Sequence, residues 1–209
     1  MEQPRIRILI VDDHALLRAG LTASLGAEPD MEIVAAASNG QEAVELFRQH
    51  QPDVIVMDLK MPVMGGVEAI KAIRGQSPAA RVVVLSTYEG DDDIYRALQA
   101  GAASYLLKDT LAEDLVRVIR EIFAGGRPLP PPVAQRLADR MLQPELTARE
   151  LDVLRLIARG MRNKEIAARL GIGEETAQGH VKNILAKLGL HDRTEAVAVA
   201  VRRGIVHID

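Results

Sequence analysis

The chain reads as an α/β protein, a doubly wound parallel sheet followed by a small all-helical domain. Three observations predict this. Short β-branched runs alternate with helical patterns across the first 125 residues. A Gly/Pro-rich stretch, Gly125-Gly126-Arg127-Pro128-Leu129-Pro130-Pro131-Pro132, then breaks the alternation. Beyond it the apolar spacing is helical throughout.

The first half forms five β-α units. Strands are expected near 6–12, 32–37, 53–58, 81–86 and 103–107, and helices near 14–26, 40–50, 66–75, 91–100 and 111–124. Asn39 is a suitable N-cap for the second helix, with Glu42 three residues on. Gly101 suits the turn between the fourth helix and the fifth strand. The connections are short, as right-handed crossovers require. The glycines at 125 and 126 stop the fifth helix, and the prolines favour an extended, semi-rigid spacer. A short helix is expected over 133–141, before Pro144. The boundaries are therefore 1–125 for the α/β domain, 126–144 for the linker and 145–209 for the helical domain.

The helical domain opens on a capping box, Thr147-Ala148-Arg149-Glu150. Leu151, Leu154, Ile157 and Ala158 follow at helical spacing until Gly160. Asn163 is read as the cap of a second short helix carrying Ile166, Ala167 and Leu170. Gly171-Ile172-Gly173 makes a tight turn into a third helix over about 174–188, which Gly189 ends. A last helix is expected over about 194–203. Two short helices joined by a glycine turn match helix-turn-helix geometry.

Composition excludes several chemistries. There is no cysteine, so disulfides, thiolate zinc sites and cysteine nucleophiles are absent. The apolar runs are far short of a membrane span, and the N-terminus lacks a signal-peptide pattern. A cytoplasmic protein without membrane partners is expected. The net charge of −3 hides an asymmetry. Residues 1–125 carry 12 Lys+Arg against 19 Asp+Glu, whereas 126–209 carry 14 against 10. An acidic half joined to a basic half points to different partners, with nucleic acid a candidate for the second.

The polar residues that close the apolar runs form a chemical set. Asp12 and Asp13 lie at the end of the first strand, Asp58 at that of the third, Ser86 at that of the fourth and Lys108 at that of the fifth. Sites in parallel sheets form at the carboxyl ends of strands, so these groups should converge. Each residue alone is an ordinary cap or loop residue. Together, three carboxylates repel one another without a cation. Carboxylate oxygens suit Mg²⁺, a carboxylate can take up a phosphoryl group, and a lysine and a hydroxyl can hold its oxygens.

These residues carry a resemblance. Ile10-Val11-Asp12-Asp13-His14, the run from Val56-Met57-Asp58 through Lys60 to Gly65-Gly66, Leu85-Ser86-Thr87 and Ala100 through Lys108 resemble a response-regulator receiver domain in both order and spacing. The resemblance implies a flavodoxin-like five-stranded fold. It implies Asp58 as acceptor of a phosphoryl group from a sensor histidine kinase. Asp13, Asp58 and the backbone carbonyl of Lys60 would ligate Mg²⁺, with Asp12 holding a metal-bound water. Ser86 and Lys108 would read the phosphoryl group, and Tyr105 would be the switch aromatic that rotates inward. Relatives often have Asn where Lys60 stands and Pro where Asp109 stands. Lys60 and Tyr88 are both expected beside the attacking water, slowing hydrolysis.

The second domain resembles the LuxR-type helix-turn-helix of the NarL/FixJ branch. The matching runs are Leu146 through Leu154, Ala158 through Ala167, then Thr176, His180 through Leu185, Lys187 through Leu190, and Arg193 through Ala196. The resemblance implies that the third helix enters the major groove of double-stranded DNA. Gln178, Gly179 and Lys182 would face the bases. Lys164, Asn183, Lys187 and Arg193 would contact the backbone, and Thr176 either. Relatives usually have Thr-Val-Lys-x-His where this chain has Thr176-Ala177-Gln178-Gly179-His180. His180 is expected to pack inside the four-helix unit. The Ala/Val face of the last helix (Ala196, Val197, Ala200, Val201) is a candidate dimer contact.

The reading is a phosphorylation-dependent transcription regulator, a homodimer when phosphorylated, and not an enzyme. Two rivals are a phosphorylation-independent DNA-binding regulator with a non-signalling receiver, and a Mg²⁺-dependent aspartyl-phosphate phosphohydrolase. No substrate-binding cap accompanies the pocket, and such an enzyme leaves the helix-turn-helix unexplained.

Overall fold

The fold was analysed in a computed structural model, which describes residues 5–87, 90–110 and 112–206. Tyr88, named above beside the pocket, lies outside the described residues. The chain divides into two units, 1–88 with 94–134 and 89–93 with 135–209.

The sheet of the first unit has five parallel strands in the order β2-β1-β3-β4-β5. They are β1 Ile6–Val11, β2 Met31–Ala37, β3 Val54–Met57, β4 Arg81–Ser86 and β5 Ser104–Leu107. The helices between and after them are α1 Ala15–Gly26, α2 Gly40–His50, α3 Gly66–Gln76, α4 Asp91–Gln99 and α5 Ala112–Phe123. The three central strands are nearly continuous apolar runs because helices cover both faces of a parallel sheet. Ile8, Leu9, Ile10, Val54, Val56, Val82, Val83 and Val84 are all buried. Chain order reverses between β1 and β3, which opens a crevice at their carboxyl ends.

Local signals act as the sequence predicts. Asn39 caps α2 by accepting the Glu42 N–H at 3.0 Å, and the Glu42 carboxylate accepts the Ser38 N–H at 2.8 Å. Gly101 sits at φ +107°, a conformation that side chains disfavour. Gly66, at the start of α3, faces the Asp58 carbonyl so closely that a Cβ would overlap it. Its N–H donates to Leu59 O at 2.9 Å, folding the loop after Asp58 back on itself.

The linker begins as a segment fastened to the sheet. The buried Ser104 hydroxyl donates to Pro128 O at 2.6 Å, tying the proline segment to β5. Linker residues as far as Ala134 belong to the first unit. The linker helix, α6, spans Pro131–Met141, two residues earlier than expected, because proline is favoured in a helix's first turn.

The second unit packs α7 Ala148–Ala158, α8 Asn163–Leu170, α9 Glu174–Leu188 and α10 Arg193–Arg202 around one core. Val153, Leu154, Ile166, Ala177, Ile184 and Ala200 form its centre. Thr147 and Glu150 make the expected capping box. Asn163 is not the cap of α8; that position is Arg162, whose N–H donates to Glu165 at 2.6 Å. Asn163 instead accepts from the Arg193 guanidinium at 3.2 Å. Gly171 and Gly189 take the left-handed conformation at the ends of α8 and α9. Asp192 caps α10 through the N–H groups of Thr194 and Glu195.

Candidate functional site

Strand register brings the polar set together. Val11 pairs with Met57, so Asp12 and Asp58 leave neighbouring strands side by side. The Asp58 N–H donates to Val11 O at 2.8 Å, and the Lys108 N–H donates to Ser86 O at 2.9 Å. Ser86 is the last residue of β4 and is fully buried.

Lys108 Nζ is the hub of the pocket. It lies 2.7 Å from Asp12 Oδ2 and 2.8 Å from Asp58 Oδ2. The remaining oxygens are also held: the Leu59 N–H donates to Asp58 Oδ1 at 2.7 Å and the His14 N–H to Asp12 Oδ1 at 2.8 Å. Burial pushes the Asp58 carboxyl above its ordinary range, and Lys108 opposes that without cancelling it. Burial pulls the Lys108 ammonium down, but its bonds to Asp12 and Asp58 outweigh this and its pKa is raised. A buried carboxylate facing one shared ammonium is still under-neutralised and attracts further positive charge.

Asp12, Asp13, His14 and Asp58 each bring a metal-ligating atom within 4.8 Å of the others. The carboxylates are hard oxygen donors of the kind Mg²⁺ requires, so the residues fit that ion. Lys60 is exposed in the loop after β3, two residues beyond Asp58. Tyr105, expected to rotate inward, is already fully buried in β5.

Two residues near this pocket carried no role in the sequence reading. The Arg18 guanidinium donates to Asp12 O at 2.7 Å, and His14 Nδ1 lies 2.8 Å from Asp13 Oδ1. The available signal was position. His14 directly follows the acidic pair, and Arg18 stands four residues further on, on the same face of α1.

In the second unit, Thr176, Gln178, Gly179, Lys182 and Asn183 form the exposed side of α9, opposite the buried Ala177, Ile184 and Leu188. Lys164 is exposed on α8. Lys187 is held differently: its Nζ donates to Glu150 Oε2 at 2.7 Å and to Glu145 O at 3.1 Å. Arg193 donates to Met161 O as well as to Asn163. Both cations therefore have internal partners that stabilise the unit. His180 is half-buried on α9. On α10, Ala196 and Ala200 are buried and Val201 is exposed.

Comparison with known proteins agrees with both units. Residues 8–120 match the response regulator receiver domain, and residues 144–200 match the bacterial regulatory proteins of the luxR family. The chain is 41% identical to the transcriptional regulatory protein LiaR of Bacillus subtilis (strain 168), over 97% of this chain and 100% of that one. It is similar to the crystal structure of the response regulator ChrA of a heme-sensing two-component system. That match has TM-score 0.59 and 34% identity, and covers 98% of this chain and 100% of that one. An RcsB–DNA complex shares the fold at TM-score 0.68 and 23% identity, covering 95% of this chain and 98% of that one. No described helix is long and apolar enough to cross a membrane. The chain belongs to the two-component response regulators that join a receiver domain to a LuxR-type DNA-binding domain.

Proposed function

We propose that the protein is a DNA-binding transcription regulator controlled by phosphorylation of Asp58. One observation carries this reading: Lys108 Nζ bridges Asp12 and Asp58 at adjoining strand ends, with Ser86 on the neighbouring strand. That arrangement suits a small, highly charged phosphoryl group.

Asp13, Asp58 and the Lys60 carbonyl are the proposed Mg²⁺ ligands, with Asp12 beside them. When bound, Mg²⁺ supplies positive charge for the phosphoryl oxygens. An Asp58 carboxylate oxygen forms the bond to phosphorus as the P–N bond of a kinase phosphohistidine breaks. The departing imidazole keeps the electron pair and takes up a proton. Lys108 then exchanges a carboxylate partner for a phosphoryl oxygen, and the Ser86 hydroxyl donates to another. Ser86 ends β4, so its movement is felt at the end of that strand. This is a local change of charge biasing a two-state element. Because Tyr105 is already buried, the ring is proposed to report the change by repacking and not by entering from solvent.

On DNA, Gln178, Gly179 and Lys182 are the proposed base-facing residues, with Thr176, Lys164 and Asn183 beside them. Gln reads adenine and Lys reads guanine in the major groove. Lys187 and Arg193 reach phosphates only by sharing or leaving their internal partners, so they are proposed as secondary contacts. The exposed Val201 side of α10 is the proposed contact between two copies, matching paired half-sites. A cytoplasmic location fits this role.

The test is phosphoryl uptake. Incubation of the full chain with Mg²⁺ and a small phosphodonor should add one acid-labile, hydroxylamine-sensitive phosphoryl group, lost in Asp58→Asn and without chelator-free Mg²⁺. Uptake elsewhere, or catalytic turnover of a phosphoester, would contradict the proposal.

A further inference from the structure

His14 is the one member of the pocket's ligand-bearing cluster that phosphoryl chemistry does not use. Its backbone is fixed, since its N–H donates to Asp12 Oδ1 at 2.8 Å. Its imidazole is 71% exposed, so it can turn without disturbing any core packing. Its Nδ1 nevertheless stands over the acidic pair, 2.8 Å from Asp13 Oδ1 and 3.5 Å from Asp12 Oδ1.

Those separations match ligands sharing one ion. Adjacent octahedral ligands at about 2.1 Å from a metal lie about 3 Å apart, and tetrahedral ones about 3.4 Å apart. Lys108 holds the Oδ2 atoms of Asp12 and Asp58, and backbone N–H groups hold their Oδ1 atoms. The Asp13 side chain, by contrast, is 31% exposed with its Oδ1 beside His14, so an incoming cation meets the cluster from the Asp13–His14 side. Mg²⁺ prefers oxygen and retains its waters, so it gains little from an imidazole. Late first-row ions gain from nitrogen, and their affinity rises along the series from Mn²⁺ to Cu²⁺.

We infer that His14 Nδ1 is an additional ligand for late first-row divalent cations, making the pocket a mixed nitrogen–oxygen site that takes Ni²⁺, Co²⁺ or Zn²⁺ in place of Mg²⁺. With Mg²⁺, His14 remains a hydrogen-bond partner of Asp13. With the softer ions it would join the coordination sphere beside Asp13. The ion held then depends on availability as well as on charge. This inference rests on the reading of the pocket as a cation site.

The test uses the untagged full chain, its His14→Gln variant and its Asp13→Asn variant. Affinities for MgCl₂, NiCl₂ and CoCl₂ are measured by calorimetry, and the Co²⁺ complexes by visible absorption and by contact-shifted imidazole resonances. Wild type should bind Ni²⁺ more tightly than Mg²⁺, and excess Mg²⁺ should displace the Ni²⁺. His14→Gln should lower Ni²⁺ affinity about tenfold or more and change Mg²⁺ affinity less than about twofold. It should also remove the shifted imidazole signals and leave the thermal midpoint unchanged. Equal loss of Ni²⁺ and Mg²⁺ affinity, or no loss of either, would overturn the inference. Mg²⁺ binding that is undetectable in wild type, or untouched by Asp13→Asn, would instead overturn the cation-site reading beneath it.

Discussion

The Lys108 ammonium reaches Asp58 Oδ2 at 2.8 Å across a sequence separation of 50 residues. Both groups are almost fully enclosed, with 9% of the lysine side chain and 5% of the aspartate side chain exposed. The carboxylate it holds is still short of positive charge.

Stability should reflect that shortage. The Asp58 carboxyl is raised above its ordinary value of 3.8, chiefly by burial. A raised folded-state pKa favours the folded state at low pH, and the benefit is lost as pH rises through the folded value. At neutral pH the ionised Asp58 is therefore a cost. Asp58→Asn, whose amide oxygen can still accept from Leu59 or Lys108, should stabilise the chain by about 1 kcal/mol at pH 7. The gain should vanish below the ordinary carboxylate range. Calorimetry across pH checks this; equal destabilisation at all pH values would refute it.

The helix-turn-helix unit should show the opposite pH dependence. Burial raises the Glu150 carboxyl, but Lys187 and the Thr147 N–H and hydroxyl lower it more, and the net shift is downward from 4.5. Its stabilisation is present above the ordinary value and is lost as pH falls through the folded one. Glu150→Gln should cost about 1–2 kcal/mol at pH 7 and progressively less towards acid. Amide exchange of α7 and α9 in the full chain measures it.

Lys60 should tune the lifetime of the phosphorylated state. It is exposed, two residues beyond Asp58. Lys60→Asn should shorten the lifetime of the Asp58 acyl phosphate severalfold, followed as release of inorganic phosphate. An unchanged rate would remove Lys60 from the account.

The reading edge of α9 gives a paired prediction. A Cβ added at Gly179 meets nothing within 4 Å, so no internal contact requires glycine there. Gly179→Ala should stabilise the helix by about 1 kcal/mol and weaken DNA binding severalfold, because the backbone can no longer approach as closely. Gln178→Lys should strengthen binding and steepen the salt dependence by about one unit in the logarithmic slope. Equal slopes for the variant and wild type would contradict the placement of Gln178 at the DNA.

The parts legible in the sequence were those fixed by short-range rules. The alternation of strands and helices located the sheet, and the residues closing the strands located Asp12, Asp58, Ser86 and Lys108, because a parallel sheet collects its strand ends. Asn39 and Thr147 were legible as caps because their partners lie three residues away. Relations that depend on tertiary distance were not. Lys187 meets Glu150 across 37 residues, Arg193 meets Asn163 across 30, and Ser104 meets Pro128 across 24. A cation on a helix face carries no mark in the sequence that separates a DNA contact from an internal ion pair. The burial of Tyr105 was likewise set by packing around β5, not by its own pattern.

The most direct test joins the pocket to the DNA. The full chain is used to select its own binding sites from random duplexes, and affinity for the selected duplex is measured with Mg²⁺, with and without beryllofluoride. The account predicts two half-sites whose centres lie about 10 base pairs apart, at least about tenfold tighter binding with the phosphoryl mimic, and no such gain in Asp58→Ala. Equal affinity with and without beryllofluoride, or a gain that survives Asp58→Ala, would contradict it.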